Sequence, residues 1–257
     1  MKAPSFAYAK AKSLAEAFEL IERPGAKILA GGQSLIPSLN MRLAQPDLLV
    51  DITGLRDLAG IDQRGAGLRV GALATHAQIE KSELVARHVP LLAEAVKHVA
   101  HPAIRNRGTI GGSIALADPA AEYPAVALAL NATIVLAGRR SERRVSAEHF
   151  FKGLFETDIR AGELVAAVEF PKVERSVFLE LARRQGDYAI VGLAGVTRAG
   201  QKRIAFFGLG AAPVLIQPKS LDEAKASIGQ PVADLYHTAA TKLHLAKVLL
   251  ERAWNKL

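Results

Sequence analysis

Near its start the chain reads Ile28-Leu29-Ala30-Gly31-Gly32-Gln33-Ser34-Leu35, a short extended segment that ends in a glycine pair and leads into apolar sequence. About eighty residues later the pattern returns as Thr109-Ile110-Gly111-Gly112-Ser113. A glycine pair lets backbone N–H groups turn toward a ligand, because no Cβ stands in the way. Two such turns are suited to hold the two phosphates of one dinucleotide, so the pattern predicts a cofactor carrier.

The first diglycine segment has two interpretations. An ordinary β-turn before a helix would use the same residues. Alternatively, the amides of Gly31, Gly32, Gln33 and Ser34 donate to a pyrophosphate at a helix N-terminus, where the helix dipole favours anions. The third glycine and the spacing of the G-x-G-x-x-G fingerprint are absent, so the segment does not predict a Rossmann fold.

The second diglycine segment belongs to a longer motif that runs from His101-Pro102 to two acids, Asp118 and Glu122. Asp118 is suited to start a turn before Pro119, and Glu122 is suited to the first turn of a helix. A carboxylate beside a dinucleotide has another use, since it accepts hydrogen bonds from sugar or ribityl hydroxyls. Both interpretations of the two acids stay open from the residues alone.

Composition narrows the class of protein. The 257 residues contain no cysteine, which excludes disulfides, thiolate zinc sites and cysteine-ligated iron–sulfur clusters within them. The seven histidines have no metal-site spacing, so no metal site is expected. The first residues lack the apolar core of a signal peptide, and no run approaches the roughly 18 apolar residues of a membrane helix. We expect a soluble cytoplasmic protein with no membrane span.

The net charge of +8 raises nucleic acid as a partner. The basic residues are scattered, however, and aromatic residues make up 5% of the chain without alternating with them. A base-stacking platform would require that alternation. We therefore expect a basic surface that faces an acidic partner or solvent, and we expect no nucleic-acid partner. A basic scaffold that binds nucleic acid is kept as a distant alternative.

Periodicity predicts an α+β fold in two parts. The N-terminal part has a small βαβ unit followed by a larger mixed α/β section, and beyond Pro171 successive strands of an antiparallel sheet are followed by helices. The predicted helices lie at 13–22, 76–81, 90–100, 122–130, 220–228 and 238–254, with a further short helix over 35–43. The predicted strands lie at 27–30, 48–52, 68–72, 132–136, 165–170, 177–183, 189–197 and 204–209.

Together with Arg183-Arg184-Gln185-Gly186-Asp187-Tyr188-Ala189, the two diglycine segments resemble the FAD-binding medium subunit of the molybdenum hydroxylases, the xanthine dehydrogenase and carbon monoxide dehydrogenase family. The likeness covers nearly the whole chain, including the tail at 243–253. It implies an FAD-binding domain over 1–173, with subdomains of about 1–54 and 55–173, and a C-terminal antiparallel sheet with helices over 174–257.

The resemblance also implies which residues contact FAD. Segments 28–35 and 109–113 would surround the pyrophosphate, and Glu122, ahead of Asp118, would lie on the ribityl or ribose side. The backbone of Val165 would meet the flavin ring, and Tyr188 would pack against the isoalloxazine; its alternative role is that of a half-buried strand tyrosine. The implied cofactor contacts are Ile28, Leu29, Ala30, Gly31, Gly32, Gln33, Ser34, Leu35, Thr109, Ile110, Gly111, Gly112, Ser113, Asp118, Glu122, Val165 and Tyr188.

The implied function is electron transfer between subunits. A small iron–sulfur subunit would carry [2Fe–2S] clusters, a large subunit would carry molybdopterin, and this chain would pass electrons from those clusters through FAD to an external acceptor. No acid–base catalytic residue is expected. Relatives often carry a lysine near 179–180, where this chain has Leu179-Glu180, so a positive contact to the flavin ring is not expected. The alternative is a stand-alone flavoenzyme of the vanillyl-alcohol-oxidase type.

Overall fold

A parallel three-stranded sheet opens the fold. The computed structural model describes residues 2–257. Its first sheet has the order β1-β3-β2, with both strand pairs parallel. The elements of this part are β1 (Ala7–Lys10), α1 (Leu14–Ile21), β2 (Ala26–Leu29), α2 (Leu35–Asn40) and β3 (Leu48–Asp51).

The predicted βαβ unit is confirmed, with one additional strand. Strand β1 was not predicted, because its four residues are mostly exposed and form no apolar run. Helix α1 begins within one residue of the predicted start, and its N-cap is Ser13, whose hydroxyl accepts from the amide of Glu16 at 3.2 Å. The Glu16 carboxylate accepts in turn from the amide of Lys12 at 2.8 Å, one residue earlier than in a standard capping box.

The middle section is built on an antiparallel five-stranded sheet with the order β4-β5-β10-β6-β7. A separate small hairpin pairs β8 with β9. The strands are β4 (Ile61–Arg64), β5 (Gly67–Gly71), β6 (Thr133–Ala137), β7 (Glu142–Ser146), β8 (Phe151–Gly153), β9 (Glu156–Thr157) and β10 (Leu164–Phe170). The helices are α3 (His76–Lys81), α4 (Glu83–His88), α5 (Pro90–Ala95), α6 (Pro102–Arg105), α7 (Ile110–Leu116), α8 (Glu122–Leu130) and α9 (Ala147–Phe150).

Helix α8 and the β10 strand agree closely with their predicted bounds, but the helix predicted over 90–100 ends at Ala95. The chain adopts a positive φ of 42° at Ala100. His101 is then extended, with φ −109° and ψ 161°. The helix has already ended by then, because the amides of Lys97, His98 and Val99 donate to carbonyl groups three residues back, at 3.3, 3.0 and 3.2 Å, and not four.

The C-terminal section is an antiparallel sheet with the order β11-β12-β13-β14, backed by helices. Its elements are β11 (Arg175–Leu181), β12 (Val191–Arg198), β13 (Gln201–Phe207), β14 (Val214–Ile216), α10 (Leu221–Ser227) and α11 (Ala239–Trp254). The three predicted strands and both helices are confirmed with small shifts of their ends. Strand β14 was not predicted, because three residues are too few to establish alternation.

Helix α8 lies between the middle and C-terminal sheets. From Tyr123 to Leu130 it is buried on every side, since it packs against β12 and β13 as well as against the middle helices. One core therefore contains residues of both sections, among them Phe178 and Phe207. The division at 173/174 stays a prediction. Within residues 2–257, none of the helices has the length and apolarity needed to cross a membrane.

Asp51, at the end of β3, connects that end of the strand to β1. Its carboxylate accepts from the Tyr8 hydroxyl at 2.5 Å, and from the amide and hydroxyl of Thr53 at 2.8 and 2.6 Å. Burial works to raise the pKa of Asp51, but the hydrogen bonds from Thr53 and Tyr8 outweigh it and leave the pKa below the usual range. The ionised form therefore stabilises the first sheet.

We expect Asp51→Asn to lower the free energy of unfolding by about 1–2 kcal/mol at neutral pH, because hydrogen bonds to a charged acceptor are lost. A depressed carboxyl pKa contributes stability above the unfolded value and loses it as pH falls through the folded value. The difference between wild type and variant should therefore shrink below about pH 4. Denaturant titration measures it. The exposed Asp57→Asn serves as control, and an equal effect of both variants would contradict the assignment.

Candidate cofactor site

The two diglycine segments meet in space. Gly31 packs against the backbone that leads into the second segment: a Cβ at Gly31 would lie 2.1 Å from the carbonyl oxygen of Arg107 and 2.8 Å from Cα of Gly108. Only glycine allows this approach. The loop after β2 therefore sits directly beside the loop before α7, as the expectation of one shared ligand requires.

The first segment has backbone donors to spare. The chain turns at Gly32, with φ +73°. In the described part of the chain, the amides of Gly31, Gly32, Gln33, Ser34 and Leu35 donate to no protein acceptor. The Ser34 side chain makes no capping bond. A cluster of free amides is an anion-binding feature, so the geometry agrees with the pyrophosphate interpretation of this loop.

An open cavity of about 420 Å³ adjoins these amides. Five of its lining residues were not predicted as contacts: Ile36, Pro37, Asp51, Thr53 and Arg107. The guanidinium of Arg107 forms no ion pair with any carboxylate of residues 2–257, which leaves it available to an anion. The lining residues are Leu29, Ala30, Gly31, Gly32, Gln33, Ile36, Pro37, Asp51, Thr53 and Arg107. Arg107 stands two residues before Thr109 in the sequence, and this proximity to the second diglycine segment could have identified it as a candidate contact.

The second segment differs from its expected role. Thr109 caps α7, because its hydroxyl accepts from the amide of Gly112 at 3.1 Å. The Ile110 amide donates to Ala74 O at 3.1 Å, the Gly111 amide to Ala72 O at 2.9 Å, and the Ser113 amide to Thr109 O at 3.1 Å. Protein carbonyls and the Thr109 hydroxyl already accept from these amides, and contact of this segment with a phosphate stays a prediction.

Gly111 is required for packing. A Cβ there would lie 2.4 Å from Cβ of Ala72 and 2.7 Å from its carbonyl oxygen, and the Gly111 φ is not positive. A side chain at Gly111 would therefore push α7 away from the end of β5. Whether 109–113 contact the cofactor through the exposed Gly112 or the Ser113 hydroxyl stays a prediction.

We expect Gly111→Ala to destabilise the protein by roughly 1–3 kcal/mol, because the added methyl group overpacks the contact with Ala72. Gly210→Ala is the control, since a Cβ there has nothing within 4 Å. Thermal unfolding compares the two. A Gly111→Ala protein with the melting temperature of Gly210→Ala would contradict this packing role.

The two predicted acids lie in one region with Tyr188. Burial first, and then the charge of Asp118, raises the pKa of Glu122 to about 7. Burial also raises the pKa of Asp118, whose carboxylate accepts from the Ala120 amide at 2.9 Å as a turn residue does. Partial loss of hydration at the Tyr188 hydroxyl, and then the charges of Asp118 and Glu122, raise the pKa of Tyr188. Glu122 is thus the acid with free hydrogen-bonding capacity.

Tyr188 is 74% exposed and lies in the turn before β12, so it is not a half-buried strand residue. Val165 lies at an irregularity of β10, where the register with β6 shifts between Val165 and Ala167. Its side chain is buried in the core, which leaves its backbone as the group able to meet a ligand. Of the remaining predicted contacts, Ile28 packs against the core and Leu35 opens α2.

His76 was missed by the sequence reasoning. Its ring supports the second loop, because a Cβ at Gly108 would lie 2.6 Å from its Nε2. The ring of Tyr123 stands edge-on to it, with centroids 5.1 Å apart. Burial and the charge of Arg105 lower the pKa of His76 to about 4, so it is neutral at physiological pH. Its position one residue after the Thr75 cap gave no sign of this role.

Residues 4–173 match the family model described as "FAD binding domain in molybdopterin dehydrogenase". The chain belongs to this family. The residues present fit its cofactor, because free amides and an unpaired Arg107 stand together where a diphosphate needs donors. Membership identifies the chain as an FAD-binding subunit of an oxidoreductase. It decides against the vanillyl-alcohol-oxidase alternative.

Relatives of the family resemble this chain over nearly its full length. The 6-hydroxypseudooxynicotine dehydrogenase complex subunit alpha of Paenarthrobacter nicotinovorans is 41% identical over 100% of this chain and 95% of its own. The carbon monoxide dehydrogenase medium chain of Hydrogenophaga pseudoflava is 33% identical over 98% and 96%. The quinoline 2-oxidoreductase structure from Pseudomonas putida 86 matches with a TM-score of 0.90 and 37% identity, over 98% of this chain and 96% of that chain.

Proposed function

We propose that this chain accepts electrons from [2Fe–2S] clusters on a small partner subunit and passes them to an external acceptor. The electrons would originate at molybdopterin on a large subunit. Relatives named as medium chains and complex subunits support this arrangement. The absence of cysteine from the 257 residues supports it too, since cluster ligands must then come from another polypeptide. A cytoplasmic location stays a prediction.

The observation that carries the proposal is the group of free amides at 31–35 beside Arg107. These donors would hold the cofactor's diphosphate, and Glu122 would accept from its hydroxyl groups. The backbone of Val165 and the ring of Tyr188 would meet the flavin. Bound FAD supplies redox chemistry with one or two electrons. The residues of this chain bind and orient it, and none is assigned an acid–base role.

We expect Gly32→Val to reduce the FAD content of the assembled complex to about a tenth, because a β-branched residue resists positive φ and would turn the free amides away. Gly200→Val is the matched control. Gly200 has nearly the same φ as Gly32, +72° against +73°, so valine is equally strained there, and nothing lies within 4 Å of a Cβ at Gly200. FAD released by acid from each purified complex is measured by absorbance. Full FAD content in Gly32→Val would contradict the diphosphate assignment.

We expect Tyr188→Ala to retain FAD but to shift its reduction potential by about 10–30 mV, since an aromatic contact contributes roughly 0.5–1.5 kcal/mol. Tyr236→Ala is the control, because Tyr236 is exposed to a similar degree, 69% against 74%. Dye-equilibration titration of the complex gives the potential, and stopped-flow absorbance gives the rate of flavin reoxidation. Tyr188 has only a structural role if neither quantity differs from that of the parent.

A further inference from the structure

Glu180 places a carboxyl group inside the protein without a hydrogen-bond partner. Its side chain, on β11, is 3% exposed. Its Oε2 atom has no partner among residues 2–257. Buried polar atoms are nearly always paired, because an unpaired one loses its hydration without compensation. The orphaned oxygen therefore points to a ligand group that completes it.

The carboxyl group lines a small cavity. This cavity measures about 150 Å³, and its other lining residues are His98, Ala182, Arg184, Gln185 and Gly186. A water molecule takes about 30 Å³ in the liquid, so the space accepts the edge of a ring system. Gly186 is followed after one residue by Tyr188, the proposed flavin contact. The charge of Glu122 acts on both Glu180 and Tyr188, so the cavity lies in the same region as the proposed FAD contacts.

No cation neutralises the Glu180 carboxyl. His98 Nδ1 lies 3.7 Å from its Oε2, but burial lowers the pKa of His98, which is therefore neutral at pH 7. Within residues 2–257, no other basic group lies within salt-bridge distance of Glu180. Arg184 lines the cavity, but it is exposed and water screens its charge.

The other neighbours add no positive charge. Near the end of α5, Glu94 raises the pKa of His98 and Lys97 lowers it. Helix α11 packs on the opposite face of β11, against Val177 and Leu179. Helix α8 contributes an acid, Glu122, and Asp118 lies close to that acid.

These surroundings determine the charge of the carboxyl group. Burial first, and then the charge of Glu122, raises the pKa of Glu180 to about 8. Glu180 therefore keeps its proton at neutral pH, where Glu122 is already part-ionised. A neutral carboxyl group is a hydrogen-bond donor, whereas a carboxylate only accepts.

We propose that Glu180 is a further residue of the FAD site, where its neutral carboxyl group donates a hydrogen bond to an acceptor atom of the cofactor. This inference rests on the proposed function. Loss of the proton removes the donor and places a second negative charge beside Glu122 and the anionic cofactor. Retention of FAD therefore weakens as the solution becomes alkaline.

The first test measures FAD retention in the assembled complex across pH. Released FAD is followed by its fluorescence. We expect the dissociation constant of the wild type to rise about tenfold between about pH 7 and pH 9, since one pKa unit corresponds to a factor of ten. Glu180→Gln keeps a hydrogen-bond donor that never ionises, so its dissociation constant for FAD should change less than about twofold between pH 7 and pH 9. Glu180→Leu lacks a donor and should bind FAD about tenfold more weakly than wild type already at pH 7. The exposed Glu83→Gln should behave as wild type.

The second test needs no cofactor. A carboxyl group whose pKa is raised on folding destabilises the folded state as pH rises from the unfolded value to the folded one. The full chain with Glu180→Gln should therefore unfold at a higher denaturant concentration than wild type at pH 8, and at the same concentration below about pH 4, where the carboxyl group is protonated in both states. This measurement also establishes that the variants fold.

The outcomes separate the two proposals. A wild-type complex without FAD at any pH would overturn the proposed function. A wild-type complex that binds FAD with the same affinity from pH 7 to pH 9 would overturn the role of Glu180 alone. The role of Glu180 would also be overturned by Glu180→Leu binding as wild type, or by Glu180→Gln keeping the full pH dependence.

Discussion

The close approach of Gly31 to the backbone of Arg107 and Gly108 is the contact on which the site depends. It joins a loop of the first sheet to a loop of the middle section, where any side chain larger than hydrogen would collide with a carbonyl group. Because the two backbones touch, Gly31, Gly32 and Gln33, whose amides are free, line the same cavity as Arg107. A diphosphate is suited to such a convergence of donors from two loops.

The second diglycine segment contributes to this arrangement in another way. Its amides donate hydrogen bonds to Ala72, Ala74 and Thr109. Gly111 lets α7 lie against the end of β5. The neutral ring of His76 supports the same loop from beneath through Gly108. The first segment therefore offers donors to the ligand, while the second holds the loop that carries Arg107.

Burial decides the charges at the far end of the site. Helix α8 is enclosed by the C-terminal sheet and the helices of the middle section, so its first residue, Glu122, begins where little water reaches. Glu180, from the neighbouring sheet, lies in the same region, and the charge of Glu122 makes it harder to ionise. Their protonation is a property of how the middle and C-terminal sections pack together.

Much of this protein is determined by its sequence alone. The caps at Ser13 and Thr75, the buried run of β3 and the bounds of α8 follow from local patterns, because capping and periodicity act within a few residues. The ordered motifs also led to the family. Only the tertiary structure decided that the Gly111 amide donates to the Ala72 carbonyl, that Arg107 forms no ion pair within residues 2–257, and that Glu180 is buried near Glu122. Those facts depend on groups far apart in the chain, and the free energy of a donor or a charge is set by what packs around it.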